Sequence, residues 1–172
     1  ISKFALDNKI KLVRLKNTKI NEPECLKAVE KLDEKYIIYA ANYGDILCKK
    51  YFLLKKKFIH IHPGKLPQYK GSTTYYYEIL NKNSLSFSAI FQSQKIDNGR
   101  IILFQKFGLK NIKKKDLDHI YDPFLRSKIL VKVISKLKKK EKLLSYPQSK
   151  VGKNTFYVIH PLLKHISILA KK

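Results

Sequence analysis

The feature that most constrains the fold is Tyr36-Ile-Ile-Tyr-Ala-Ala41, a continuous apolar run of strand length. A strand without polar alternation is buried on both faces, which is the habit of parallel sheets covered by helices. Before it, Ile10-Lys-Leu-Val-Arg-Leu15 reads as a short β-rich strand, followed by a turn through Asn17 to Asn21. Asn21 is expected to cap a helix with Glu22 and Pro23 in its first turn and Leu26, Val29 and Leu32 along one stripe. After it come a loop at Asn42 to Asp45, a short helix expected over Ile46 to Phe52, and the strand Phe58-Ile-His-Ile-His62, closed by Pro63 and Gly64. The order β-α-β-α-β predicts an α/β fold built on an open, mostly parallel sheet flanked by helices.

Pro63 to Gly71 reads as a loop, and Ser72 to Leu80 as a helix with a capping serine and apolar i, i+3, i+4 spacing. Leu85 to Phe91 and Arg100 to Phe107 are two further strands around the tight turn Ile96-Asp-Asn-Gly99. Asp118 to Lys139 is expected to be a long helix with Tyr121, Phe124, Leu125, Leu130, Val133, Ile134 and Leu137 inward. Pro123 would lie in its first turn or mark a kink. The tail from Tyr146 is irregular. A boundary is therefore expected at 145, with residues 1–145 as the catalytic domain and 146–172 as a tail packing on it or on a partner subunit.

Strand alternation puts Phe58, His60 and His62 on one face, at the carboxyl end of a central strand where open α/β sheets bind ligands. The stiff loop that follows, with prolines at 63 and 67, is expected to expose both imidazoles. Together with Asp97 they admit two chemistries. Two histidines and a carboxylate can hold iron or zinc. Equally, a carboxylate can orient a histidine for metal-free acid–base work beside a reacting amine and carbonyl. Spacing alone does not choose.

The run His60-Ile-His-Pro-Gly-Lys-Leu-Pro-Gln-Tyr-Lys-Gly71, the helix ending Glu78-Ile-Leu-Asn81, and Ile96-Asp-Asn-Gly-Arg-Ile101 resemble the folate-dependent formyltransferase family. Its pattern is Asn-x-His-Pro-x-x-Leu-Pro-x-Tyr/Phe-Arg/Lys-Gly followed by Asp-x-Gly. The resemblance spans roughly positions 5 to 107 and implies a Rossmann-like sheet with the formyltransferase fold. It implies transfer of a formyl group from 10-formyltetrahydrofolate, as donor cofactor, to a primary amine, with no metal expected. His62 falls on the family's catalytic histidine and Asp97 on its catalytic aspartate, while His60 stands where the family has asparagine. In the family the asparagine amide and the histidine meet the formyl oxygen, and the aspartate orients the histidine or an intervening water. An imidazole at 60 can still donate through one ring N–H, but it cannot offer a donor and an acceptor at one end.

The resemblance further implies folate contacts from Tyr43, Gly44, Asp45, Ile46 and Leu47 and from the stretch Phe91 to Ile96, including Gln94 and Ile96. The favoured acceptor is a nucleotide-linked amino sugar, for surface polysaccharide or glycan synthesis. The alternatives are a methionyl-tRNA or glycinamide ribonucleotide formyltransferase-like enzyme, or a metal-dependent enzyme using His60, His62 and Asp97. A methionyl-tRNA enzyme would carry an extra carboxy-terminal barrel, for which 172 residues leave no space. The triple tyrosine Tyr75-Tyr76-Tyr77 suits core packing better than stacking on a sugar or base.

Composition limits the partners. The formal charge is +24, yet among 37 Lys and Arg residues only Arg14, Arg100 and Arg126 are arginine. Lysine is a point charge, whereas bidentate readout of phosphate or guanine favours arginine, so nucleic acid is not the expected partner. Diffuse lysines can instead steer an anionic folate tail and a diphosphate. Cys25 and Cys48 match no zinc spacing and are too few for a disulfide framework, which points to a cytoplasmic enzyme with no membrane partner. A homodimer is allowed. There is no methionine anywhere, and against the family layout the chain is expected to lack a first β-α unit.

Overall fold

The computed structural model describes residues 2–16, 19–40, 44–110, 112–140, 142–149 and 154–169. In chain order the elements are α1 (Ser2–Asp7), α2 (Pro23–Glu30), β1 (Tyr36–Ile38), a 3-10 turn (Lys49–Leu53), β2 (Lys57–Pro63), β3 (Lys70–Gly71), α3 (Thr74–Lys82), β4 (Leu85–Phe91) and β5 (Ile101–Phe107). They continue with α4 (Asp122–Lys140), β6 (Thr155–Phe156) and α5 (Pro161–Leu169). The main sheet is open, in the order β1-β2-β4-β5. Strand β1 runs parallel to β2, with Tyr36 opposite Lys57, and the β2–β4 and β4–β5 pairs are antiparallel. The expected helix-flanked open sheet is present, and among the described residues its parallel character lies in the β1–β2 pair.

Every residue of β4 is buried, because the strand has a neighbour on each side and helices pack against it. Helix α4 supplies much of that cover through Leu125, Ile129 and Val133, an i, i+4, i+8 stripe that joins Phe87, Ala89 and Ile102 in one core. Each such side chain contributes about 1.5 to 3 kcal/mol on burial. A smaller cluster around Leu47, Tyr51 and Phe58 holds Leu26 and Val29 of α2 on the other part of the molecule.

Several local expectations are corrected. Residues Ile10 to Leu15 form no strand. Ile10, Leu12 and Val13 stay largely exposed, because no strand lies beside this run among the described residues to pair with it. Strand β1 is three residues long and not buried on both faces: Tyr36 and Ile37 are half-buried and Ile38 is 49% exposed. Asn21 does not cap α2: the cap position is Glu22, without a side-chain bond, and Pro23 opens the helix. Asn21 instead donates to the Ile46 carbonyl at 2.8 Å and accepts from the Cys48 amide at 2.9 Å, tying α2 to the following loop. The helix expected over Ile46 to Phe52 is the shorter 3-10 turn.

Ser72 is not the cap of α3. That place belongs to Thr73, in a left-handed conformation, whose hydroxyl accepts from the Ile159 amide at 2.8 Å. The long helix starts through a 3-10 turn and a π turn at Leu117–Tyr121 before α4 proper. Pro123 explains the wide turn, because its ring excludes the carbonyl four residues back. Phe124 and Ile134, expected inward, are 52% and 40% exposed.

The tail packs on the same chain. Strand β6 pairs in parallel with β3, Tyr146 bridges to Ile101, and α5 lies against α3. The tyrosine run is core: Tyr75 and Tyr76 both donate to Asp118 Oδ1, and Tyr77 packs on Phe156 with ring centroids 4.6 Å apart. No helix among the described residues is long and apolar enough to cross a membrane.

Candidate active site

Strand β2 brings His60 and His62 to one face with ring centroids 6.5 Å apart, and the β4–β5 connection returns Asp97 to the same place. His62 Nδ1 lies 3.4 Å from Asp97 Oδ1. The other ring nitrogen, Nε2, donates to the Tyr69 carbonyl at 2.7 Å. That bond, from the loop after β2, fixes which way the ring faces. The loop covers the histidine instead of exposing it: His62 is 2% exposed and Asp97 7%, while His60 is half-buried.

Asp97 is held from three directions. It sits in a left-handed conformation, as short polar residues in turns tolerate. Its Oδ2 accepts from the Gly71 amide at 2.8 Å, and the amide of Gln148 donates to the Asp97 and Gly99 carbonyls at 2.7 and 2.8 Å. Burial works against its charge, but the His62 ring and the Gly71 N–H outweigh it, so the carboxyl lies below the ordinary carboxylate range. It is a carboxylate at neutral pH.

His60 differs. Burial, with the His62 ring and the Arg126 charge nearby, pushes its imidazole down to about 4, so it is neutral at physiological pH. Its Nδ1 lies 3.4 Å from the Tyr39 carbonyl, which accepts a bond from the ring N–H and leaves the lone pair on Nε2. Between the histidines, the Ile61 carbonyl extends beyond the end of β1 and is met by the Arg126 guanidinium at 2.6 Å. The same side chain reaches Asp122 at 2.8 Å.

The remaining expected contacts fall on two loops. Tyr43 lies outside the described residues. Gly44 forms a turn with φ +86, and the Asp45 carbonyl accepts from the Tyr39 hydroxyl at 2.8 Å, which brings this loop beside the partner of His60. Ile46 is 53% exposed, whereas Leu47 is buried with Tyr51 and Phe58 and offers only backbone to a ligand. Gln94 is exposed and Ile96 is 52% exposed. A cavity of about 400 Å³ lies beside the turn, lined by Phe58, Phe91, Gln92, Asn98 and Arg100 among others, but by none of the three expected catalytic side chains. Sequence reading missed Tyr69, Gln148 and Arg126. Arg126 carried a signal, being one of three arginines in a lysine-rich chain.

No family model matches the chain. The methionyl-tRNA formyltransferase of Finegoldia magna is 29% identical over 113 residues, which is 64% of this chain and 36% of that protein. The N-formyltransferase from Helicobacter canadensis, solved with folinic acid and dTDP-3-aminofucose, superposes with a TM-score of 0.63 at 20% identity. The match covers 90% of this chain and 53% of that one. The sugar 3N-formyltransferase WlaRD, solved with dTDP and 5-N-formyl-THF, gives 0.57 at 25% identity over 91% of this chain and 53% of its own. The fold is that of the formyltransferases. In sequence as in fold, the chain is similar to formyltransferases. It spans about a third of the length of the curated relative it matches.

Proposed function

We propose that this chain carries the catalytic groups of an N-formyltransferase that moves the formyl group of 10-formyltetrahydrofolate to a primary amine on a nucleotide-linked amino sugar. The observation that carries the reading is the buried His62–Asp97 pair at 3.4 Å, locked on its far sides by the Tyr69 carbonyl and the Gly71 amide. Its residues coincide with the two-part motif.

The amine attacks the formyl carbon, and negative charge develops on the formyl oxygen. The His62 ring stands beside that charge with Nδ1 facing Asp97 Oδ1 at 3.4 Å, while Nε2, anchored on Tyr69, keeps the ring from turning away. Asp97, ionised, takes up the proton that the amine loses, directly or through a water. As the carbon–N10 bond breaks, N10 takes a proton and tetrahydrofolate leaves. His60, with its ring N–H on Tyr39, presents a lone pair to the amine side.

Two loop side chains suit a flat heteroaromatic donor. Ile46 and Ile96, 53% and 52% exposed, offer apolar surface to its faces. Gly44 to Leu47 offer backbone groups for the pterin edge. The chemistry needs no metal. A dTDP-linked amino sugar and folate derivatives appear in the solved relatives, which supports the acceptor class and the donor.

A second reading, an aminoacyl-tRNA acceptor, is favoured by the curated match to a methionyl-tRNA formyltransferase. The test is incubation of the full-length protein with 10-formyltetrahydrofolate and, separately, nucleotide-linked amino sugars, glycinamide ribonucleotide and charged initiator tRNA, following released tetrahydrofolate. Turnover with an amino sugar is expected. Turnover with tRNA alone moves the protein to the second reading, and no turnover with any amine, together with no folate binding, sinks both.

A further inference from the structure

One nitrogen from each of His60 and His62 and one oxygen of Asp97 all lie within 4.8 Å of one another. Each of the three is oriented from behind. His60 Nδ1 bonds the Tyr39 carbonyl, His62 Nε2 bonds the Tyr69 carbonyl at 2.7 Å, and Asp97 Oδ2 accepts from the Gly71 amide at 2.8 Å. Metal-binding histidines are held in this way, with the second ring N–H on a carbonyl so that the other nitrogen presents its lone pair inward. The arrangement leaves His60 Nε2, His62 Nδ1 and Asp97 Oδ1 outside those bonds, the last two 3.4 Å apart.

The geometry points to a divalent transition-metal site, zinc foremost, formed by His60, His62 and Asp97, whose occupancy and the proposed formyl transfer are mutually exclusive. The asparagine of the family pattern has no comparable metal-ligating nitrogen, so it is His60 that completes the set. Two imidazoles and a carboxylate are a recognised ligand combination for zinc or ferrous iron. With metal–ligand distances of roughly 2.0 to 2.2 Å, ligand atoms in a tetrahedral site lie about 3.4 Å apart. His62 Nδ1 and Asp97 Oδ1 already stand at 3.4 Å. The outer separation of 4.8 Å must shrink, and His60, the least buried of the three, is the side chain that must come in.

The two uses of the site conflict for a simple reason. The proposed transfer uses His62 Nδ1 and Asp97 Oδ1 facing each other at 3.4 Å, and a metal would take both of those atoms as ligands. A bound metal therefore displaces the paired contact, and zinc acts as an inhibitor of the transfer.

The test uses tag-free full-length protein, stripped with a chelator. Cobalt(II) is added while the visible spectrum is followed, and zinc(II) is titrated by calorimetry, in wild type, His60→Asn and Asp97→Asn. These measurements involve neither folate nor acceptor, so they succeed or fail independently of the formyltransferase reading. Wild type is expected to bind one equivalent, with the intense visible absorption of four-coordinate cobalt. Both variants are expected to weaken binding by at least tenfold to a hundredfold. Absence of stoichiometric binding in wild type overturns the site, as does unchanged affinity in a His60→Asn protein whose melting curve shows it folded. Should Asp97→Asn fail to fold, His60→Asn alone decides, since asparagine is smaller than the imidazole it replaces.

Discussion

The side-chain amide of Gln148 donates to the backbone carbonyl of Asp97 at 2.7 Å, so the tail of the chain holds the turn that carries the proposed acid–base group. A second bond from the same nitrogen reaches the Gly99 carbonyl at 2.8 Å. Gln148 touches no atom expected to react, so its effect runs through the placing of Asp97. Gln148→Ala is expected to lower kcat by about tenfold, the equivalent of one or two hydrogen bonds at about 1 kcal/mol each, and to leave the KM for the acceptor near its wild-type value. Gln148→Glu is expected to do more harm, because it sets acceptor oxygens against two carbonyls. A loss that appears in KM alone, or no loss in either variant, would remove Gln148 from the site.

For the reacting pair the expected effect is larger. His62→Ala and Asp97→Asn should each lower kcat/KM by about 100-fold or more, the usual scale for a positioned proton donor or acceptor. Because the two act as one pair, the double variant should be barely worse than either single one. Steady-state kinetics with released tetrahydrofolate as readout decides this. Additive losses would mean that the residues act separately despite standing 3.4 Å apart.

Two glycines make close approaches that no other residue can reproduce. A Cβ on Gly99 would stand 1.6 Å from the Phe91 carbonyl oxygen, and one on Gly71, at φ +100, would stand 2.0 Å from the Phe156 carbonyl oxygen. In both cases the obstacle is backbone, so a rotamer change gives no relief. Gly71→Ala is expected to cost about 2 to 3 kcal/mol in denaturant unfolding. It should also reduce activity, because the Gly71 amide is the donor to Asp97. Gly44→Ala, at φ +86 but with nothing within 4 Å of its Cβ, is the comparison: its cost should be smaller and confined to backbone strain.

These relationships mark how far the sequence could be read. His60 and His62 were legible because a strand has a period of two, and Asp97 because a turn of Asp, Asn and Gly between two apolar runs allows few alternatives. The long-range polar contacts were not. Gln148 reaches Asp97 across 51 positions and Arg126 reaches Ile61 across 65, and nothing in local periodicity encodes a bond closed over such distances. The misread segments err for a related reason. Ile10 to Leu15 has the composition of a strand, but pairing depends on a neighbour, and none of the described residues supplies one. The expected burial of Tyr36 to Ala41 likewise assumed cover on both faces, whereas Ile38 of β1 is 49% exposed. Pattern reports what a segment can bury, while the sheet order decides what it does bury.

Arg126 invites a test of its own. Its guanidinium satisfies the Ile61 carbonyl, which lies past the end of β1, and neutralises Asp122, whose carboxyl burial pushes above the ordinary range despite that contact. Arg126→Ala should cost about 1 to 3 kcal/mol, the penalty for leaving a part-buried carbonyl without a donor. Arg126→Lys should recover only part of it, because an ammonium cannot form the planar fork that spans Ile61 and Asp122. Denaturant midpoints for the three proteins check this, and equal stability of Arg126→Ala and wild type would show the carbonyl to be solvated.

Asp118 gives the pH dependence with a definite sign. Burial opposes its charge, but bonds from Lys164, Tyr75 and Tyr76 outweigh that opposition and hold the carboxyl below its ordinary value. A carboxyl lowered on folding stabilises the protein above its unfolded value of about 3.9 and loses that contribution as pH falls through its folded value. The three donors come from α3 and α5, so the effect is on how the tail helix is fastened to the body. Asp118→Asn is therefore expected to melt a few degrees below wild type at pH 7, at roughly 2 to 4 °C per kcal/mol for a chain of this size. The gap should close as the solution is taken well below about pH 3.9. Added salt should narrow it only partly, because a part-buried pair is screened less than an exposed one. Melting curves from pH 3 to pH 8 measure this directly, and a gap that stays constant across that range would mean that the carboxylate's charge has no part in holding α5.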